Sequence, residues 1–191
     1  SRAYSMCAGL LCSWPHFMTL AGAAQRPALT MPTRFRQFGV MNNTEMEPMA
    51  RALADGEAAQ GRAEVPVGAV LVDGSGRVLA ANGNRIVELN DPTAHAEMLV
   101  IRAAAEIKGA PRLADCDLYV TLEPCPMCAA AISLARVRRL YFGAYDAKGG
   151  GVEHGPRIFT QPTCHHAPEV YGGIEEAAAA KLLKEFFQAR R

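Results

Sequence analysis

No aspartate or glutamate occurs among the first 44 of the 191 residues, and that absence divides the chain in two. Up to Thr44 the only charged side chains are Arg2, Arg26, Arg34 and Arg36. Beyond it stand the other 16 basic groups and all 19 acidic ones, a formal charge of −3 that the overall +1 conceals. A global basic field of the kind that advertises nucleic-acid binding is therefore missing, and contact with phosphates must rest on local clusters. Also missing is an apolar run approaching the ~20 residues that a membrane-spanning helix needs. The six cysteines show no framework spacing, since only Cys125 and Cys128 are paired in the manner of metal ligands. That usage disfavours a secreted disulfide scaffold and suits a reducing cytosol.

Residues 1–43 read unlike the rest, being acid-free, rich in Met and Pro, and without a sustained helical or strand period. Ala21-Gly22-Ala23 resembles a signal cleavage site, but Trp14-Pro15-His16 interrupts the apolar run before it. An acid-free, Arg-bearing leader also fits an organelle transit peptide. A third reading is a translated remnant upstream of Met41. All three predict an N-terminal extension with little order, followed by one domain over residues 44–191.

Within that domain, Glu45 to Ala59 reads as a helix with Met49, Ala52 and Leu53 on its apolar side. Val67 to Val72 is a buried strand. Asp73-Gly74-Ser75-Gly76 turns the chain into a partner strand over Val78 to Ala81. Asp91 and Pro92 have the cap and first-position chemistry of a helix that continues to Ile107 and stops at Gly109 and Pro111. Further strands are expected over Leu118 to Leu122 and Arg138 to Phe142, with a helix from Pro126 to Ala135 between them. A Gly- and Pro-rich loop follows, with one short strand near Arg157 to Thr160, before a last amphipathic helix from Ile174 to Arg190. Strands alternating with helices predict an α/β sandwich around a partly parallel sheet.

The most informative residues are His95-Ala96-Glu97 and Pro124-Cys125-Pro126-Met127-Cys128. Three of them, His95, Cys125 and Cys128, are zinc-type ligands, and a catalytic zinc site keeps three protein ligands with a fourth position open. The three-residue step between the cysteines puts both sulfurs on one helix face, about 5–6 Å apart at Cβ. Helix N-termini carry partial positive charge, which favours the thiolate that a metal requires. Glu97 lies roughly 200° around a helix from His95, so it is expected to stand beside the metal-activated water as a proton shuttle rather than to bind the ion. Zinc brings the pKa of water toward ~7, and such a nucleophile hydrolyses the amidine carbon of an aminopurine or aminopyrimidine. A closed structural site would need a fourth ligand, which Cys164, His165 or His166 could supply; alternatively those three form a small separate site or are ordinary loop residues.

From about Pro66 onward the chain resembles the cytidine/adenosine deaminase superfamily, and within it the bacterial tRNA-specific adenosine deaminases. PVGAVLV (Pro66 to Val72), DPTAHAE (Asp91 to Glu97), LYVTLEPCPMC (Leu118 to Cys128), FGAYDAKGG (Phe142 to Gly150) and FFQARR (Phe186 to Arg191) carry the likeness. The resemblance implies a three-layer α-β-α sandwich with a mixed five-stranded sheet, acting as a homodimer in the cytoplasm. It implies Zn2+ on His95, Cys125 and Cys128, with Glu97 as proton donor and Asn84 bonding the substrate base. The implied reaction is adenosine to inosine at the wobble position of a tRNA anticodon stem-loop.

Two alternatives accompany this reading. A free-base deaminase, for guanine above all, shares the PTAHAE-like run and PCPMC but lacks TLEPC, DAKGG and the final FF-x-x-RR helix. A non-catalytic zinc-containing subunit that binds RNA or a partner would have no need of Glu97. One segment departs from the family pattern: Cys164 to Gly173 is shorter and lacks an Asn-His pair, in a region that helps embrace the anticodon loop. Arg136, Arg138, Arg139, Arg190 and Arg191 are candidate phosphate contacts or simply solvated charge.

Overall fold

The computed structural model describes residues 48–190. The reading of residues 1–43, and the start of the first helix before Pro48, lie outside the described residues. The elements run α1 (Pro48–Gly61), β1 (Gly68–Val72), β2 (Val78–Gly83), α2 (Ile86–Leu89), α3 (Ala96–Lys108), β3 (Asp117–Leu122), α4 (Pro126–Ala135), β4 (Arg139–Ala144), β5 (Glu169–Tyr171) and α5 (Glu176–Gln188).

Five strands form one mixed sheet in the order β2-β1-β3-β4-β5. The β1–β2 and β1–β3 pairs are antiparallel, whereas β3–β4 and β4–β5 are parallel. The strand period of two divides the side chains of β1 between two cores. Ala69 and Leu71 join Val100 and Ala104 of α3, and Ala129 and Ile132 of α4, in the larger one. Val70 and Val72 point the other way, onto Met49 and Ala52 of α1. Helices α1 and α5 pack together, as do α3 and α4, so the expected three-layer α-β-α sandwich is present. Gly68 lets α1 sit tightly on the sheet, because a Cβ there would lie 1.9 Å from the Ala52 carbonyl oxygen.

The Asp73 turn is built as its sequence demands, with the carboxylate accepting from the Ser75 and Arg77 amides at 3.0 and 3.1 Å. Three local expectations need correction. Helix α3 starts at Ala96 rather than at Asp91-Pro92, because Asp91 uses its carboxylate on the Thr93 amide (2.8 Å) and hydroxyl (2.7 Å), closing a separate turn. The segment expected to be a strand near Arg157 is a 3-10 helix over Ile158–Thr160, and the fifth strand is Glu169–Tyr171 instead. Helix α2 was not anticipated; its single turn is held by Glu64, whose carboxylate accepts from the Val87 and Glu88 amides at 2.8 and 2.9 Å. The crossover from β3 through α4 to β4 places the C-terminal end of β3 beside the N-termini of α3 and α4.

Candidate metal centre

His95 and Cys125 are the N-cap residues of α3 and α4. Both have extended backbones, with φ/ψ of −68°/151° and −66°/168°, and neither side chain caps its own helix. Their carbonyls already accept the first helical bonds, from Leu99 (3.0 Å) and Ala129 (2.9 Å). Both side chains are therefore turned outward from the helix ends and toward each other. Cys128, on the first turn of α4, completes the group.

The His95 Nδ1 lies 3.7 Å from the Cys125 sulfur and 3.5 Å from that of Cys128. All three ligand atoms fall within 4.8 Å of one another. A tetrahedral zinc ion with ordinary Zn–S and Zn–N bonds holds nitrogen and sulfur about 3.5 Å apart, so the donor set fits zinc in both chemistry and spacing. The two thiols and the imidazole share protons tightly: contact with Cys128 and then His95 holds Cys125 down at about 4, while the thiol of Cys128 is pushed up by Cys125. A divalent cation replaces such shared protons when it binds.

Glu97 occupies the first turn of α3 and is 3 % exposed. Burial holds its carboxyl above the usual range. Among the described residues, its Oε2 is the buried side-chain oxygen without a hydrogen-bond partner. A buried, unpartnered carboxyl oxygen beside three metal ligands has the form of a proton shuttle rather than of a structural acid.

Asn84 joins the same corner. It is 5 % exposed, and its Oδ1 accepts from the Ala96 amide at 2.8 Å, which caps α3 in place of His95. The Asn84 carbonyl is held in turn by Arg62 at 3.3 Å.

Cys164, His165 and His166 do not join the metal group. The Cys164 sulfur sits 3.3 Å from the Ser133 hydroxyl, and His166 donates from its ring to the Val137 carbonyl at 2.8 Å. Cys164 and His166 thus fasten the loop to the far end of α4. The basic cluster is largely neutralised: Arg138 makes a bidentate pair with Asp117 (2.8 Å to each oxygen), and Arg139 pairs with Glu169 (2.8 Å). Arg190 lies over the Phe186 ring at 3.6 Å. Three buried carboxylates carry no mark of a role in the motifs, Glu64, Asp117 and Glu123. The available signal was their placement against apolar runs, Val65-Pro66-Val67 and Leu118 to Leu122, where an acid must find partners inside the fold.

Residues 42–144 match the family described as the cytidine and deoxycytidylate deaminase zinc-binding region. The chain belongs to the cytidine and deoxycytidylate deaminase family. Within this family it is 61 % identical, over 143 residues, to a tRNA-specific adenosine deaminase of Agrobacterium fabrum, spanning 75 % of this chain and 93 % of the relative. A solved structure from a study of A-to-I editing by tRNA:A34 deaminases at the wobble position of transfer RNA is similar with a TM-score of 0.70 and 62 % identity, over 71 % of this chain and 98 % of the other. A guanine deaminase of Bacillus subtilis is more distant, with a TM-score of 0.52 and 30 % identity over 75 % of this chain and 91 % of the other. Zinc is the cofactor of this deaminase family, and the His95, Cys125 and Cys128 triad has the geometry to hold it.

Proposed function

We propose that this protein is a zinc-dependent deaminase converting adenosine to inosine at the wobble position of a tRNA anticodon. The observation that carries the chemistry is the unpartnered, buried Glu97 oxygen beside the three metal ligands. Identity of 61 % to a tRNA-specific adenosine deaminase, against 30 % to a guanine deaminase, supports the choice of substrate.

His95, Cys125 and Cys128 would hold the zinc ion, which when bound would act as a Lewis acid and lower the pKa of water toward ~7. Glu97 takes one proton from the attacking water and gives it to the ring nitrogen, where it stays; the second proton of that water passes through Glu97 to the amino group, which leaves as ammonia as the carbonyl forms. Its raised affinity for a proton is what such a shuttle needs, since it must give and receive near neutrality. Asn84 has its Oδ1 committed to the Ala96 amide, so its Nδ2 group is the half that can donate to an acceptor on the base. An adenine stacked in a duplex cannot reach such a site, whereas one in a single-stranded loop can be extruded into it.

The protein works on a tRNA anticodon stem-loop, as a homodimer, in the cytoplasm. Among the described residues no helix is long and apolar enough to cross a membrane. The test is inosine formation by the zinc-loaded full chain on an anticodon stem-loop with adenine at the wobble position, beside free guanine, cytosine and adenosine. Inosine in the stem-loop alone is expected. Turnover of guanine alone would replace the substrate while leaving the zinc chemistry intact.

A further inference from the structure

Glu123 lies two residues before Cys125, and its side chain is fully buried at 0 % exposure. Its two oxygens collect five donors. Oε1 accepts from three successive amides, Val152 (3.2 Å), Glu153 (2.9 Å) and His154 (2.9 Å). Oε2 accepts from the Asp146 amide at 3.0 Å and lies 2.7 Å from the His154 Nδ1. Three consecutive backbone N–H groups converging on one oxygen form an anion nest, here filled by a side chain of the same protein.

The strand end and the loop are laced together on both sides of this carboxylate. The Glu123 amide donates to the Ala144 carbonyl at 2.8 Å, and the Gly151 amide donates to the Pro124 carbonyl at 2.8 Å. Two glycines of the Lys148-Gly149-Gly150-Gly151 run, Gly150 and Gly151, are explained by this closeness. A Cβ on Gly150 would sit 2.5 Å from Glu123 Oε1, and one on Gly151 would sit 2.6 Å from the Pro126 nitrogen. Residues 146–154 are thus wrapped around the single turn of chain that delivers Cys125 to α4.

We infer that Glu123, clasped by the 146–154 loop and by His154, is a positioning residue that sets the direction of the Cys125 sulfur and so slows the release of zinc. The inference deepens the zinc reading above and rests on it. Glu123 touches neither metal nor substrate; it acts through Pro124 and Cys125. A peptide whose carbonyl and neighbouring side chain are both held cannot swing its cysteine away from the ion. Partners standing behind metal ligands typically change metal affinity by about 10–100-fold when removed.

The test is the rate at which the zinc-loaded full chain transfers its metal to a chromophoric chelator, together with melting of the zinc-bound and zinc-free forms. Glu123→Gln sets an NH2 group among five donors and is expected to speed zinc release at least tenfold and to shrink the rise in Tm that zinc confers. His154→Ala removes only the half-exposed ring bond and is expected to speed release severalfold while folding normally; it carries the test if Glu123→Gln does not fold. A purely structural Glu123 would lower Tm equally with and without zinc and leave the release rate unchanged in both variants, which overturns the clasp alone. A wild-type chain that holds no zinc would overturn the metal assignment and the clasp with it.

Discussion

Helices α3 and α4 face the same problem and solve it differently. Each must begin at a residue whose side chain is reserved for the metal, so that neither His95 nor Cys125 can cap its own helix. In α3 the orphan Ala96 amide is satisfied from elsewhere, by the Asn84 oxygen at 2.8 Å. In α4 the corresponding donor does not exist, because Pro126 occupies the first helical position. One helix borrows a cap and the other removes the need for one. The consequence is functional: the residue lent to α3 is the one proposed to meet the base, whereas the start of α4 carries only metal ligands.

The largest effects expected from breaking this arrangement fall on the metal and the proton. Cys125→Ala removes one of three ligands and should abolish zinc content and inosine formation together, as read by metal analysis and by turnover. Glu97→Gln should leave zinc and fold in place while lowering kcat between about 10²- and 10⁴-fold, the range over which positioned acid–base groups act. Full activity in Glu97→Gln would remove the shuttle from the mechanism.

Asn84 allows the two helices to be separated more finely. Asn84→Ala deletes both halves of the amide and should cost about 1 kcal/mol of stability through the lost cap, along with activity. Asn84→Asp keeps an oxygen for the Ala96 amide but discards the Nδ2 donor. We expect its Tm to stay near that of the wild type while inosine formation on the stem-loop falls. If activity persists in Asn84→Asp, the residue is a cap and nothing more.

The two helix starts also show what a sequence reveals. Helix α4 was legible to the residue, since Pro126 fixes the first position and Cys-x-x-Cys sits over one turn. The sequence places the start of α3 four residues early, because Asp91-Pro92 has the same local chemistry as a helix start whereas Asp91 turns toward Thr93. The three residues named for the metal meet in space; the Cys-x-x-Cys spacing states the geometry of two of them, and the sequence motif rather than any helical period marks His95 as the third. The partners of Glu123 and the true fifth strand are not readable from local sequence, for a related reason. The partners of Glu123 lie 23 to 31 residues away, and β5 is defined by its pairing with β4 over Arg139 to Tyr141 rather than by any period of its own. Long-range hydrogen bonds leave little trace in local pattern.

Pro126→Ala should be a smaller perturbation than any at Asn84. It supplies an amide that α4 has done without and loosens the unfolded chain, so stability should fall by about 0.5–1 kcal/mol with zinc retained. A loss of zinc would show that the proline also steers Cys125.

The smallest effect belongs to the opposite ends of the same two helices. Both finish with a left-handed residue, Gly109 at φ 62° for α3 and Arg136 at φ 57° for α4. Glycine adopts that conformation without the Cβ clash that burdens arginine. Part of the gain from Arg136→Gly is lost to the greater freedom of glycine in the unfolded chain. The net stabilisation should be at most about 1 kcal/mol, a rise in Tm of about 1–3 °C for a chain of this size. Arg136 stands about 15 Å along α4 from Cys125, so kcat should be unchanged. A variant that gains stability but loses affinity for the stem-loop would show that the strained arginine is kept for a phosphate, which would extend the RNA contact from the base pocket to the far end of α4.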